Sequence, residues 1–269
     1  MTSLRVSIVQ YLNTAPLIWG MLRGGQRGRF EMDFTTPARC ADAVREGRAA
    51  AGIIPSIELQ RIDNLRVAPG VTISSLDAVR SVILISKRPI QEVRTVGLDT
   101  SSRTSAALVT ILLRKFYGLR PELAPAEPDP ESMLRAADAA LLIGDPALVF
   151  NSRKVRDSEP VRVYDLGTEW NKFTGLPFVF AIWAGPESAG LGAFAADLQA
   201  SRDYGIAHMD EIAGEYAPRL GLTPAEVKFY LTHNIHYNLE ERHREALDLF
   251  YRLAFEEGLI PAAKPIQFV

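Results

Sequence analysis

Residues 176–185 read LPFVFAIWAG, an apolar run whose length and composition predict a strand buried on both faces. A second run of this kind, SVILISK at residues 81–87, lies earlier in the chain. Around both runs, strand and helix patterns alternate, which is typical of an α/β fold. If each run passes from one lobe to another, the two form a paired hinge beside a cleft. The same periodicity also fits two core strands of one open sheet, so both arrangements stay open at this point.

The order of the elements favours two lobes with a helical C-terminal tail. The expected bounds are residues 1–86 with 184–269 for lobe I, 90–178 for lobe II, and crossovers near 81–90 and 176–185. From residue 187 onward the pattern is helical, and the stretch Thr223 to Glu226 has the residues of a capping box. We predict that this tail returns to lobe I after the second crossover.

The composition is that of a globular protein of 269 residues, with 47% hydrophobic and 23% charged residues. Lys and Arg number 30 against 32 Asp and Glu, and a net charge of -2 gives no overall field that attracts nucleic acid or an anionic membrane. No apolar run approaches the roughly 18 to 20 residues that span a bilayer, and the start lacks the pattern of a secretory signal. The one cysteine, Cys40, is expected to be buried and inert. We expect a cytoplasmic protein that captures a small ligand locally.

Residues 99–105 read DTSSRTS, at the point where a predicted strand becomes a helix. The first amides of a helix have no intrahelical partner, and this positive end attracts anions. The hydroxyls of Ser101, Ser102 and Thr104 would add donors, and Arg103 is the candidate for a fork that holds a carboxylate. The alternative is that one serine simply caps the helix. Without the glycines and the lysine of a P-loop, a nucleoside triphosphate is not expected here.

Polar residues also follow other predicted strands. Asn13 comes directly after the first strand, Ser56 follows Ile53-Ile54-Pro55, and Asp145 lies in Ile143-Gly144-Asp145-Pro146. Such strand exits are where open α/β sheets bind their ligands. Each residue by itself also fits an ordinary turn. Several of them together predict one shared cleft.

Three histidines lie close together in the tail, His233, His236 and His243, and suggest the hypothesis of a metal-binding site. Their spacing matches no recognised zinc motif, and the segment between them looks like a connection between helices. We expect no metal site there. No histidine is near the polar loops in sequence, so a Ser-His-Asp arrangement is not expected either.

Seven segments, in order across about two-thirds of the chain, resemble the chorismate dehydratases of the futalosine route to menaquinone. They are YLNTAPL (11–17), IIPSIEL (53–59), SVILIS (81–86), DTSSRTS (99–105), LLIGDPAL (141–148), DLGTEW (165–170) and TGLPFVFAIW (174–183). The resemblance implies a type II periplasmic-binding-protein fold, in which two α/β lobes joined by two crossover strands hold the ligand between them. The same family includes 1,4-dihydroxy-6-naphthoate synthases, but the YLN start and the DTSSRTS loop look like the dehydratase branch.

The reaction that the resemblance implies removes water from chorismate and gives 3-[(1-carboxyvinyl)oxy]benzoate, with no metal, nucleotide or flavin cofactor. Asn13 is the residue expected nearest the chemistry, where its amide would orient the leaving hydroxyl. The residues expected to bind the substrate are Ser56, Ser81, Ser102, Arg103, Thr104, Ser105 and Asp145. The base that removes the ring proton is left open between a carboxylate of the substrate and a protein carboxylate, with Asp145 and Glu169 as the candidates.

Three other functions remain in competition. A non-catalytic binding protein for a small carboxylate would share the cleft, but neither a secretory signal nor a lipid-attachment cysteine is visible near the start. The ligand-sensing domain of a transcription regulator would need a helix-turn-helix segment, whereas this chain begins with a strand. The third is the sister synthase activity. The oligomeric state cannot be read from the sequence.

Overall fold

The computed structural model describes residues 3–157 and 161–269, which contain two separate five-stranded sheets. The first sheet consists of β1 (Leu4–Val9), β2 (Phe30–Thr35), β3 (Ala51–Pro55), β4 (Leu65–Ser75) and β10 (Phe178–Pro186). The second consists of β5 (Val82–Ser86), β6 (Thr95–Asp99), β7 (Glu122–Ala126), β8 (Ala139–Ile143) and β9 (Arg162–Asp165). The alternative of a single open sheet is therefore wrong.

Both sheets have the same strand topology. The orders are β2-β1-β3-β10-β4 and β7-β6-β8-β5-β9. In each, one strand is parallel to both of its neighbours, and an antiparallel strand is inserted at the fourth position. The two inserted strands, β10 and β5, carry the two apolar runs of the sequence. Each is flanked by strands and buried on both faces, which explains why its residues are apolar without alternation.

The first crossover differs from the expectation of residues 81–90. β5 pairs along its length with β8 and β9, so residues 82–86 belong to lobe II and not to lobe I. Both edges of a buried strand need hydrogen-bond partners, and β5 finds both in the second sheet. The chain thus crosses between Ser75 and Val82, and it crosses back before Phe178, where β10 enters the first sheet.

The helices are α1 (Ala15–Arg23), α2 (Pro37–Arg45), α3 (Arg103–Ile111), α4 (Pro130–Ala136), α5 (Gly144–Asp157), α6 (Leu166–Thr174), α7 (Ala195–Ala207), α8 (Met209–Leu220), α9 (Pro224–Phe229) and α10 (Glu241–Glu256). A five-residue π-helical turn, Tyr230–Asn234, continues α9. The predicted capping box of Thr223 and Glu226 is confirmed at the start of α9. No helix in the described ranges has both the length and the apolar character that crossing a membrane requires.

The helical tail returns to lobe I, as predicted. Ser201 of α7 donates a hydrogen bond to the Leu17 carbonyl of α1 at 2.8 Å. Gly205 lies so close to α1 that a Cβ there would stand 2.0 Å from the Pro16 carbonyl oxygen. The tail thus packs closely against α1, the helix that follows β1 in lobe I.

Candidate functional site

The cleft lies where the carboxyl ends of β1 and β3 face those of β6 and β8. In the first sheet β1 is followed by β2 on one side and by β3 on the other, and in the second sheet β6 is followed by β7 on one side and by β8 on the other. Open α/β sheets usually bind their ligands outside the strand ends at the point where the strand order reverses in this way. The empty volume of the cleft, counted together with the part that is open to solvent, is about 500 Å³. Strand ends of both lobes therefore meet at one cleft, but of the three polar residues predicted to converge there from the exits of β1, β3 and β8, only Asn13 lines it.

Most of the cleft wall is apolar. Strand ends from both lobes supply it, among them Val9, Ile73, Val82, Ile143 and Phe180. Polar groups come from two places: the segment after β1 and the first turn of α3. A mostly apolar wall with a few convergent polar groups suits a small ligand that combines an apolar ring with anionic groups.

The first turn of α3 forms one end of the cleft. Ser102 is the N-cap, and its hydroxyl oxygen accepts a hydrogen bond from the Ser105 amide at 3.3 Å. Ser102, Thr104 and Ser105 all line the cleft. Ser102 therefore caps the helix and lines the cleft at the same time. The amides of residues 103 and 104 belong to the first turn of α3, whose N–H groups have no acceptor within the helix. This end of the cleft is suited to an anion.

Arg103 also borders the cleft, but its guanidinium group holds carboxylates of the protein. It donates to both oxygens of Asp42 at 2.8 and 2.9 Å and to Glu58 at 3.1 Å. Asp42 and Glu58 belong to lobe I, whereas Arg103 is on α3 of lobe II. The expectation that this fork receives the ligand's carboxylate therefore differs from the structure, in which the fork joins the lobes. Because Glu58 is fully buried, it requires such a partner.

Ser56 and Ser81 lie behind the cleft wall and not on it. The Ser56 hydroxyl donates to the Val179 carbonyl at 2.7 Å, and the Ser81 oxygen accepts from the Tyr230 hydroxyl at 2.7 Å. Both serines are fully buried. Their hydroxyls are thus bonded to neighbouring elements, which differs from the expected direct contact with a ligand.

Asn13 lines the cleft from a short 3-10 helix, Leu12–Thr14, that follows β1. Its Oδ1 accepts from the Thr14 hydroxyl at 3.4 Å, and the Asn13 side chain acts to lower the pKa of Tyr230, whose hydroxyl donates to Ser81. Burial raises the pKa of Tyr230 above its usual value, so it is a neutral phenol near pH 7. The sequence did not predict the contact of Tyr230 with Ser81, because Tyr230 lies in the tail and no local pattern connects the two residues.

Asp145 is beside Asn13 but outside the lining of the cleft. Its Oδ1 accepts from the Leu12 amide at 2.9 Å, so this residue of lobe II caps the turn that carries Asn13. Burial raises the pKa of Asp145 to about 6, although the hydrogen bond from Leu12 opposes the rise. Asp145 therefore joins the lobes and titrates closer to neutrality than an ordinary carboxyl group.

Glu169 is on α6, away from the cleft. Its carboxylate accepts a short hydrogen bond from the Tyr117 hydroxyl and lies 3.5 Å from the ammonium group of Lys172. A general base must reach the proton that it removes. Among the two protein carboxylates considered for this role, only Asp145 is next to the cleft.

Tyr11 and Gly144, one from each lobe, meet at the cleft and both line it. Gly144 has φ of +64°, and a Cβ added there would stand 2.5 Å from the Tyr11 ring. Tyr11 also lines the cleft, and its hydroxyl is 3.4 Å from Ser101 Oγ. Both residues lie in segments that the sequence analysis singled out, but their contact depends on how the lobes face each other.

The tail histidines are used in separate ways. His233 stacks on Phe229 with ring centroids 4.4 Å apart, and buried His243 accepts from the Glu240 amide at 3.3 Å. Within residues 3–157 and 161–269, no group of three or more His, Cys, Asp or Glu residues is arranged to hold a metal ion.

Three comparisons with known proteins agree. The profile of a family described as menaquinone biosynthesis matches residues 4–256. A chorismate dehydratase from Thermus thermophilus is 32% identical over 258 residues, which cover 91% of this chain and 93% of that protein. One from Campylobacter jejuni is 25% identical over 248 residues, with 91% and 94% covered. Among solved structures, the alkanesulfonate-binding protein SsuA from Xanthomonas axonopodis matches with a TM-score of 0.71 at 15% identity, covering 99% of this chain and 96% of that one. The last match shows the fold alone, which is like that of periplasmic binding proteins.

Proposed function

The chain belongs to the menaquinone biosynthesis family, and from this premise we propose that it is a chorismate dehydratase. The observation that carries the proposal is the 32% identity to a chorismate dehydratase over nearly the full length of both proteins. The reaction is the elimination of water from chorismate to give 3-[(1-carboxyvinyl)oxy]benzoate. A mostly apolar cleft with an anion-binding end agrees with a substrate that has one ring and two carboxylates.

The elimination asks the protein mainly to position its substrate. A base takes a ring proton, the carbon–oxygen bond to the ring hydroxyl breaks, and the hydroxyl leaves as water with one added proton. Because the ring becomes aromatic, the driving force lies in the substrate. We propose that one carboxylate binds at the start of α3, on the amides of residues 103 and 104 and the hydroxyls of Ser102, Thr104 and Ser105.

Asn13 is the residue that we place at the leaving hydroxyl. An amide does not take up a proton at neutral pH, so its contribution is a hydrogen bond that orients the hydroxyl and stabilises the charge that develops on it. Its position on the cleft wall, at the carboxyl end of β1, supports this role.

The base is proposed to be a carboxylate of the substrate. None of the described residues that line the cleft is Asp, Glu or His, so the wall itself offers no ordinary base. Asp145 remains the protein alternative, because it adjoins Asn13 through Leu12 and has a pKa of about 6. A base with a pKa near the working pH is well matched to proton transfer.

The activity is tested by incubating purified, metal-stripped protein with chorismate and following the aromatic product by chromatography. We expect product from the wild type and far less from Asn13→Ala. Unchanged chorismate would refute the activity and return the protein to the class of small-carboxylate binding proteins. A cyclised futalosine derivative, offered in place of chorismate, tests the synthase activity in the same assay.

The base is tested with Asp145→Asn, with Glu169→Gln as the matched control. Each variant removes one negative charge and keeps the size of the side chain, and asparagine still accepts from the Leu12 amide. If the substrate supplies the base, both variants retain turnover. Loss of turnover in Asp145→Asn alone would identify Asp145 as the base.

We also propose that the enzyme works in the cytoplasm. The chain contains one cysteine, Cys40, which is buried and free. This usage is typical of proteins in a reducing compartment.

A further inference from the structure

We propose that Thr104 couples binding of the substrate's carboxylate to closing of the lobes: the Ile57 amide of lobe I donates to the Thr104 hydroxyl, and the hydroxyl gives its own proton to the carboxylate. This inference rests on the proposed function, because it concerns the carboxylate that we place at the start of α3. It goes further by making this part of the site complete only when lobe I has closed over it.

The start of α3 is bonded directly to lobe I. The Ser101 carbonyl accepts from the Ala38 amide at 3.2 Å. The Thr104 hydroxyl oxygen accepts from the Ile57 amide, also at 3.2 Å. Ile57 lies in the first turn of a 3-10 helix, Ser56–Gln60, that follows β3. The segment that would hold the ligand's carboxylate is thus also a contact between the lobes.

The hydroxyl protons around Thr104 can be assigned from the contacts. Ser56 has one hydroxyl proton, and it donates this proton to the Val179 carbonyl at 2.7 Å. The Ser56 oxygen lies 3.4 Å from the Thr104 oxygen, which is long for a bond between two hydroxyl groups. Among the described residues, Ser56 is the only acceptor for the Thr104 proton. Because Thr104 lines the cleft, this proton is available to a better acceptor there.

The bond from Ile57 makes Thr104 a stronger donor. Thr104 is 3% exposed and Ile57 is fully buried, so little water reaches this bond. A hydroxyl group that accepts one hydrogen bond is polarised by it and donates the next one more strongly. A carboxylate is an ionised acceptor, and its hydrogen bonds are about twice as strong as those between neutral groups. The chain from the Ile57 amide through Thr104 to a carboxylate therefore stabilises the closed lobes and the bound anion together.

The two partners of Thr104 belong to different stages of binding. The groups that would hold the carboxylate, Ser102, Thr104 and Ser105, are all in lobe II, whereas Ile57 is in lobe I. In an open form, lobe II alone presents its groups to the substrate, and closing adds the bond from Ile57. Coupling between two equilibria is reciprocal. A carboxylate on Thr104 thus favours the closed form by the same factor by which closing tightens its binding.

The test compares Thr104→Val with Thr110→Val. Thr110 is a matched control, because it lies on the same helix, is also 3% exposed, and donates its hydroxyl proton within the helix, to the Ala106 carbonyl at 2.7 Å. The ligand for calorimetry is the aromatic product, which keeps both carboxylates of chorismate and is not consumed. We expect Thr104→Val to bind it about 10- to 100-fold more weakly, with a parallel rise of KM for chorismate. Thr110→Val should bind like the wild type, and Thr104→Ser, which keeps the hydroxyl, should recover most of the affinity.

Small-angle X-ray scattering separates coupling from simple binding of the anion. At saturating product, Thr104→Val should keep a larger radius of gyration than the wild type and Thr104→Ser, because its closed form has lost the bond from Ile57. An equal radius in all variants, or equal affinities in Thr104→Val and Thr110→Val, would overturn the proposal. Should Thr104→Val fold poorly, Thr104→Ala removes the same hydroxyl with a smaller side chain and carries the same expectation.

Failure of this inference can be told apart from failure of the proposed function. A wild type that converts chorismate, together with normal affinity in Thr104→Val, refutes this inference alone. A wild type that binds the product, with the expected losses in Thr104→Val, but does not convert chorismate refutes the dehydratase activity alone. A wild type that neither binds the product nor converts chorismate refutes both.

Discussion

Replacing Gly144 by alanine tests whether the lobes meet as the structure shows. Gly144 has φ of +64°, which costs a residue with a Cβ about 1–2 kcal/mol. The added methyl group would also stand 2.5 Å from two carbons of the Tyr11 ring. Overpacking of this kind costs about 1–3 kcal/mol more. Since the ring belongs to the other lobe, opening of the cleft would relieve the clash.

Gly118→Ala is the matched control. Gly118 has φ of +67°, but no heavy atom lies within 4 Å of the Cβ position, so only the backbone cost applies. Urea unfolding of both variants measures the two costs, and their difference isolates the contact with Tyr11. We expect Gly144→Ala to lose more stability than Gly118→Ala and to bind chorismate more weakly. X-ray scattering should show a larger radius of gyration for Gly144→Ala.

Equal destabilisation of the two glycine variants, with unchanged affinity for chorismate in Gly144→Ala, would refute the reasoning. That result would mean that Tyr11 does not rest on Gly144 in solution. A loss of affinity in Gly118→Ala would be equally damaging, because this exposed residue does not line the cleft.

Three further predictions follow from charges and burial. Burial raises the pKa of Asp145 to about 6, so the folded state holds this proton more tightly than the unfolded state does. The free energy of unfolding should therefore fall by about 2–3 kcal/mol on account of Asp145 as the pH rises from about 4 to 6. Unfolding curves of Asp145→Asn from pH 4 to 7 should lack this decline, and an unaltered decline would contradict the prediction. Arg103→Gln removes two ion pairs between the lobes, with Asp42 and Glu58. A resulting loss of about 1–2 kcal/mol from the closed state would weaken chorismate binding, measured by calorimetry, about 5- to 30-fold. Arg45→Gln, which removes pairs with the same carboxylates inside lobe I, should leave binding unchanged. Burial raises the pKa of Cys40, in α2, to about 12. A thiol reagent at pH 8 should therefore label Cys40 in the unfolded protein but not in the folded one. Rapid labelling of the folded protein would show that the Cys40 side chain is not buried.

The local patterns of the sequence predicted much of the fold. The apolar runs at residues 81–87 and 176–185 became the inserted strands β5 and β10, since a strand buried on both faces has no polar side to show. Ser102 caps α3, as expected for a serine at a strand-to-helix turn. The position of the first crossover was wrong, because periodicity predicts that a strand forms but not which sheet supplies its partners.

The site was predictable where a residue's role depends on its place in its own element. Asn13 lies at the end of β1 and lines the cleft, because the carboxyl end of a parallel strand is determined by chain direction. The same reasoning could not show which way a side chain turns. Ser81 bonds to Tyr230 and lies behind the wall, and Arg103 reaches across to Asp42 in place of a ligand.

The sequence by itself determined the elements, their order and the family, because these depend on hydrophobic period, capping residues and motifs within short stretches. Only the tertiary structure decided which polar groups pair across the lobes. Leu12 meets Asp145, Asp42 meets Arg103, and Ser81 meets Tyr230, in each case between segments far apart in the chain. The physical reason is that a buried polar group must find a partner somewhere, and which partner it finds depends on how the two sheets and the tail pack.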